Sequence, residues 1–470
     1  MITQTDYDLL IQNGSAVVPG DVRRVDVGVR DGKIVALAPE LPGTARRTID
    51  ATRHLVFPGF IDAHTHMGIP IKETRSADDF RSGSIAAAFG GVTTILDFTV
   101  QAPGQSPRAA LEERIALAQG NSHIDFGIHV NITDRPLEHL DDIPALIAEG
   151  FNSFKLFSTY REAGMMSSWP EVRAVMATVA AHGGVVLLHA ESNDIIEREM
   201  ARYVNSGATG AICHARSRPA EAEAEAIREA GIIARDLGAR LYIVHLSSRA
   251  GLEAGLAARA QGAEIYLETC PQYLVLDESR YEAENGHYYI TTPALRTQAD
   301  GEALWEALAA GEIDVVGTDH CPFTREQKES AGGVFHLTPN GIPGVETLFP
   351  LLYTYGVAAG RINVAGLVRV LAENPARIFG IDDRKGALAV GRDADIVIWS
   401  PEAKTTIEAP RLHGQADWSP YEGMPIAGQL AYTILRGQVL VDGEAFAGEE
   451  MYGELLRAAA TAPALSRIDE

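Results

Sequence analysis

Between Leu55 and Ile381, eight apolar runs of strand length alternate with helical stretches rich in Ala, Glu and Arg, and that alternation leaves few folds open. In order the runs are Leu55 to Ile61, Thr93 to Phe98, Phe126 to Ile132, Ser153 to Phe157, Val185 to His189, Leu241 to His245, Glu264 to Thr269 and Asp314 to Gly317. They are nearly continuous in apolar side chains, as strands buried on both faces must be, and the helices between them supply the crossovers that parallel strands need. An α/β protein with a (β/α)8 barrel over residues 55–381 is the expectation. Ala220 to Leu237 is the clearest helix, and its acidic stretch reads as a solvated face.

Both ends of the chain read differently. Short strand-like runs precede Asn13-Gly14 and Asp31-Gly32, and near the other end similar runs precede Arg436-Gly437 and Asp442-Gly443. Such pairs are hairpin turns because their residues tolerate positive φ. Residues 1–54 plus 382–470 are therefore expected to pair into one small β-sandwich domain, discontinuous in sequence and ending in a polar, Ala-rich tail. A net charge of −23 disfavours nucleic acid and anionic membrane surfaces as partners. No run of eighteen apolar residues occurs, and Met1 to Tyr7 carries no targeting pattern, so a cytoplasmic location is expected. Cys213, Cys270 and Cys321 are too few and too scattered for a disulfide framework, which fits a reducing compartment.

Active sites of such barrels lie at the carboxyl ends of the strands. There the sequence puts His64 and His66 after strand one, Lys155 in strand four, His189 and His245 at the ends of strands five and six, and Asp319 after strand eight. His64 and His66 stand two residues apart, so an extended chain aims both imidazoles to one side. Four histidines and an aspartate at one rim suit a borderline divalent ion such as Zn, with Mn, Co or Fe possible. Lys155 is the difficulty, because an ammonium facing cations is repelled. Loss of its proton would remove that repulsion. No Gly-rich phosphate loop follows a strand, so no nucleotide or redox cofactor is expected.

On these residues the chain resembles the amidohydrolase superfamily, and within it the cyclic amidase branch of dihydropyrimidinases and hydantoinases, over almost its full length. The matching stretches are GFIDAHTH at Gly59 to His66, FKLFSTY at Phe154 to Tyr160, LLHAES at Leu187 to Ser192, VHLSS at Val244 to Ser248, GTDHCPF at Gly317 to Phe323 and NGIPGVE at Asn340 to Glu346. The resemblance implies two divalent ions, with His64, His66, Lys155 and Asp319 holding one and Lys155, His189 and His245 the other. It implies Lys155 reacted with carbon dioxide to N6-carboxylysine, an anionic two-oxygen bridge; two divalent ions, this carbamate, Asp319 and a hydroxide then sum to about +1. It also implies Asp319 as the catalytic acid and base, Tyr160 as donor to the oxyanion, main-chain groups near Thr292 and Asn340 as the seat of the substrate amide, and a homo-oligomer, tetramer or dimer. At the seat the sequence departs slightly, with Thr291-Thr292-Pro293-Ala294 where relatives commonly show Met-Ser-Pro-Pro.

The implied reaction is hydrolysis of dihydropyrimidines or 5-substituted hydantoins to N-carbamoyl amino acids. Dihydroorotases usually carry a carboxylate-binding arginine two residues after the paired histidines. Here that position is Gly68, and Met67 to Ile71 offers apolar contacts, which favours a small neutral cyclic ureide or imide. Allantoinases share the metal set but generally lack the tyrosine, so allantoin is the alternative ring. Phe157, Met165 and Met166 lie where loops of the family shape the pocket. Collapsin response mediator proteins keep this fold without metal ligands and act in assembly, whereas all six ligand positions are occupied here.

Overall fold

A computed structural model of the chain describes residues 6–448 and 451–459. Eight parallel strands lie side by side in chain order: β1 (Phe60–Thr65), β2 (Val92–Phe98), β3 (Asp125–Asn131), β4 (Ser153–Phe157), β5 (Val185–His189), β6 (Arg240–Ile243), β7 (Glu264–Thr269) and β8 (Val315–Val316). Beyond β8 the chain returns to β1, where Thr65 bridges His320 and the His66 N–H donates to the His320 carbonyl at 2.8 Å. The result is a nearly closed (β/α)8 barrel. Its interior is filled by Ile61, Ala63, Leu96, Phe98, Leu187 and Tyr242 among others. The opposite faces of the strands, with Phe126, Phe154 and Leu188, pack under the helices.

The helices follow local rules. Asp79 caps Phe80–Phe89 in a reciprocal capping box with Ser82, and Thr297 does the same with Asp300 for Gln298–Ala309. Ala220–Leu237 turns Ala222, Ala226, Ala230, Ile233 and Ala234 inward and ends at Gly238, whose left-handed conformation no β-carbon opposes. A β-carbon on Gly231 would lie 2.6 Å from that of Ala258, so this glycine lets Ala220–Leu237 approach Arg249–Ala260 closely.

Two further sheets pack together as a sandwich beside the barrel. One has four strands, Tyr7–Gln12, Asp26–Arg30, Lys33–Ala38 and Ala45–Asp50. The other has seven, taking Ser15–Val18, Asp21–Arg24 and Leu55–Pro58 from the first part of the chain and Ile396–Thr406, Pro425–Leu435, Gln438–Asp442 and Ala445–Phe446 from the last. Leu9, Ile11, Val27, Val29, Val56, Ile396 and Ile434 form the core between them. The hairpins turn at Asp31-Gly32 and Arg436-Gly437, all four residues at positive φ.

One apolar run divides differently from its sequence pattern. Leu55 to Ile61 reads as a single strand, but Leu55–Pro58 pairs with Ile396–Thr406 and Ser15–Val18, while β1 begins at Phe60. The chain changes sheets at Gly59, where a β-carbon would meet Thr93 Oγ1 at 2.2 Å. The reason is steric: only a residue without a side chain passes there.

Buried charge and a late segment of chain join the parts. Lys385 Nζ sits 2.5 Å from Asp125 of β3, 2.7 Å from Asp395 and 2.9 Å from Asp393, and Arg436 also pairs with Asp125. Near the carboxyl end, Phe126 N–H donates to Glu454 O at 3.0 Å and Leu456 N–H to Phe126 O at 2.7 Å. This inserts Leu456 into the interior core at the barrel floor.

Candidate metal centre

At the mouth, three ligand atoms converge. His64 Nε2 lies 3.2 Å from His66 Nε2, and Asp319 Oδ1 lies 3.2 Å from the first and 3.1 Å from the second. Nitrogen and oxygen donors about 2.0–2.2 Å from a tetrahedral ion stand about 3.3 Å apart, so the set has the dimensions of a coordination shell. Hydrogen bonding orients it: His64 Nδ1–H donates to Glu268 Oε1 at 2.7 Å, which leaves the Nε2 lone pair facing His66 and Asp319. Burial pushes the His64 pKa well down, so its imidazole is neutral, the state a metal ligand requires. Burial works to raise Asp319, but His64 and His66 hold its carboxyl below the ordinary value. His66 Nδ1 is buried with no hydrogen-bond partner among the described residues. Two imidazoles and a carboxylate converging without enough protons to share fit a cation.

The remaining residues predicted for the site form a second group against the first. The His245 ring is centred 5.4 Å from His64 and 4.5 Å from His189, and His245 Nδ1 is buried without a partner among the described residues. His189 Nε2 is paired with Glu191 at 2.8 Å, which leaves Nδ1 as its ring nitrogen for a ligand. Lys155 projects between the rings of Phe98 and Phe157, its Nζ 5.2 Å from each, and is 2% exposed. No carboxylate lies within ion-pair distance of it among the described residues, and burial lowers its pKa to about 7. A neutral amine is the form that attacks carbon dioxide, so the environment suits a carbamate.

Tyr160 lies over His189, ring centres 5.0 Å apart, with the Thr292 side chain beside its hydroxyl. Burial pushes the phenol pKa up, keeping a proton available to donate. Asn340 Nδ2 donates to Thr292 Oγ1 at 3.0 Å, so Tyr160, Thr292 and Asn340 share one wall. Met165 and Met166 follow on the half-buried loop beyond Tyr160. Three of these residues adopt left-handed backbone: Tyr160 at φ +67°, His245 at +42° and Asp319 at +55°. Side chains disfavour that region, and holding it costs energy that neighbouring structure must supply. Asp62 contributes by accepting from the N–H groups of Thr318 and His64 at 3.0 and 3.2 Å, tying the end of β8 to β1.

Several supporting residues escape a sequence reading. Glu268 accepts from His64, from the His245 N–H at 2.8 Å and from the Tyr242 hydroxyl at 2.7 Å, and is fully buried. Glu191 joins His189 to Arg218, whose Nη1 donates at 2.6 Å. His320 Nδ1 accepts from Gly344 and Val345 N–H at 3.0 and 3.2 Å, so its Nε2–H faces Asp78 at 3.1 Å and pins the residue next to Asp319. Their signal was weak, since each is one more acid or imidazole near a motif.

The amidohydrolase family matches residues 55–440. The chain is 39% identical to the D-hydantoinase of Ralstonia pickettii over 456 residues, covering 96% of this chain and 98% of that protein. It is 40% identical to the D-hydantoinase of Rhizobium radiobacter over 453 residues, covering 95% and 98%. Among solved structures, dihydropyrimidinase from Brevibacillus agri superposes with a TM-score of 0.94 at 35% identity, covering 97% of this chain and 99% of that one.

Proposed function

The chain belongs to the amidohydrolase family and is a cyclic amide hydrolase; from that premise we propose that it opens dihydropyrimidines or 5-substituted hydantoins to N-carbamoyl amino acids. In this reading His64, His66, Lys155 and Asp319 hold one divalent ion, Zn first among candidates, while Lys155 as N6-carboxylysine, His189 and His245 hold a second. The observation that carries it is the convergence of His64, His66 and Asp319 within about one coordination shell beside a buried, unpaired lysine.

When bound, the ions supply Lewis acidity toward the ring carbonyl and lower the pKa of a water toward neutrality. Asp319 takes a proton from the attacking water and returns it to the departing ring nitrogen, one carboxylate serving first as base and then as acid. Tyr160, kept protonated by burial, donates to the developing oxyanion. Main-chain groups of Thr292 and Asn340 hold the ring amide, while Glu268 and Glu191 keep the imidazoles oriented. Because Asn340 bonds the Thr292 hydroxyl, which a serine also carries, the threonine keeps the contact.

Gly68 bears on the ring. It sits at φ +61° with its N–H bonded to Asp78 O at 2.6 Å, so the residue is suited to the turn and an arginine there would be strained. A neutral ring is therefore preferred over dihydroorotate. We assign residues 1–54 plus 382–470 to the sandwich domain and 55–381 to the catalytic barrel, except that Leu55–Pro58 pairs in the sandwich sheet and the segment around Leu456 packs into the barrel floor. Residues 1–5, 449–450 and 460–470 lie outside the described residues. The whole works as a cytoplasmic homo-oligomer, tetramer or dimer, and three buried free cysteines are in keeping with a reducing compartment.

The test is a hydrolysis screen of metal-loaded enzyme against dihydrouracil, 5-substituted hydantoins, allantoin and dihydroorotate, with Asp319→Asn alongside. Turnover of the first two classes and a loss of about 10³-fold or more in the variant are expected. Exclusive activity on dihydroorotate or allantoin, or an unimpaired Asp319→Asn, would overturn the reading.

A further inference from the structure

Lys328 lies in the short helix Arg325–Glu329 beyond β8, and it is fully buried with no carboxylate partner among the described residues. Its Nζ donates instead to two main-chain carbonyls, Ile290 at 2.9 Å and Pro339 at 2.8 Å, with the Phe323 ring 5.4 Å away. Burial drives its pKa well below that of an ordinary lysine, and an uncharged amine has two N–H groups, one for each carbonyl. A methionine would fill similar volume with no polar atom to desolvate, so the choice of lysine needs a reason beyond packing.

The partners supply one. Ile290 precedes Thr291-Thr292 and Pro339 precedes Asn340, the two segments that converge beside Tyr160. They also meet directly, since the Gly341 N–H donates to Ile290 O at 3.0 Å and Asn340 Nδ2 to Thr292 Oγ1 at 3.0 Å. No described residue accepts from the Asn340 N–H itself. A hydrogen bond to the Pro339 carbonyl polarises the peptide unit that ends in that N–H, making it a better donor.

We propose that Lys328 is a positioning residue for substrate binding: it sets the spacing of the Thr292 and Asn340 main chains and strengthens the Asn340 N–H toward a substrate carbonyl. The inference rests on the proposed seating of the ring amide by those two segments.

Lys328→Met and Lys328→Gln, prepared as metal-loaded enzyme, test it by kcat and KM on dihydrouracil and by amide hydrogen exchange over residues 290–292 and 339–341. In the methionine variant, loss of these bonds is expected to raise KM about tenfold with kcat within about threefold, and to speed exchange in both segments. Glutamine, which also offers two N–H donors, recovers part of both effects, and it carries the test alone if the methionine variant does not fold. Unchanged exchange in the two segments overturns the positioning role, even if the melting temperature falls. Faster exchange with unchanged KM overturns the seating of the ring amide on Thr292 and Asn340, and with it the functional role of Lys328.

Discussion

Lys155 and Lys385 are both almost wholly buried, one inside the barrel and one where it meets the sandwich, yet their surroundings are opposite. Lys385, in the connection after Asn374–Ile378, faces Asp125 at the start of β3, Asp393 and Asp395 within 2.9 Å. Burial works against its charge, but the three carboxylates outweigh burial and hold its pKa above the ordinary value. Lys155, in β4, has aromatic rings where Lys385 has carboxylates, and burial brings it down to about 7. One lysine is a charge completed by the protein. The other is incomplete, which is what the proposed carbamate bridge requires of it.

The comparison breaks most visibly if the two are truncated. Lys155→Met should cost about 10³-fold or more in kcat/KM and lower bound metal per chain, measured by metal analysis, without weakening the metal-free fold. Lys385→Met should do the reverse. It strands buried carboxylates and should destabilise the protein by about 3–5 kcal/mol in urea unfolding, while the folded fraction keeps a kcat near that of the parent. A Lys385→Met variant as stable as the parent would erase the distinction.

A smaller effect sharpens it by pH. In metal-free protein the folded pKa of Lys155 is about 7 against an ordinary value of about 10.4, so the unfolded chain binds more protons between those limits. The destabilisation due to Lys155 is therefore largest below about pH 7 and fades as pH rises toward about 10.4. Lys155→Met should exceed the parent in stability at neutral pH and converge with it by about pH 10. Lys385 has the opposite sign: its raised pKa contributes stability that is complete below about 10.4 and is lost as pH climbs through the folded value. Urea midpoints at several pH values check both.

The same contrast explains what could be read from the sequence. Barrel strands were legible because burial on both faces leaves long apolar runs, and the histidines stood out because they close those runs. Lys155 and its neighbours were legible too, through their place in a strand. Lys385 and Lys328 were not, because nothing in their neighbourhoods along the chain says that Asp125 or Ile290 will arrive from far away. Glu268 is inconspicuous for the same reason: its tie to His64 spans 204 residues. Leu55 to Ile61 reads as one strand because hydropathy does not register which sheet a residue joins, although Pro58-Gly59 marks the place.

The floor of the barrel has a consequence for how the chain comes into being. Leu456 occupies the interior core, and the main chain around it is bonded to Phe126 and Gly150, yet it is made only after all eight strands, well beyond β8 in the sequence. A nascent chain that has already made all eight strands still has an open base. Folding must therefore finish after synthesis of the strands, and a chain released short of Leu456 would present apolar surface to its neighbours rather than to the segment that covers it.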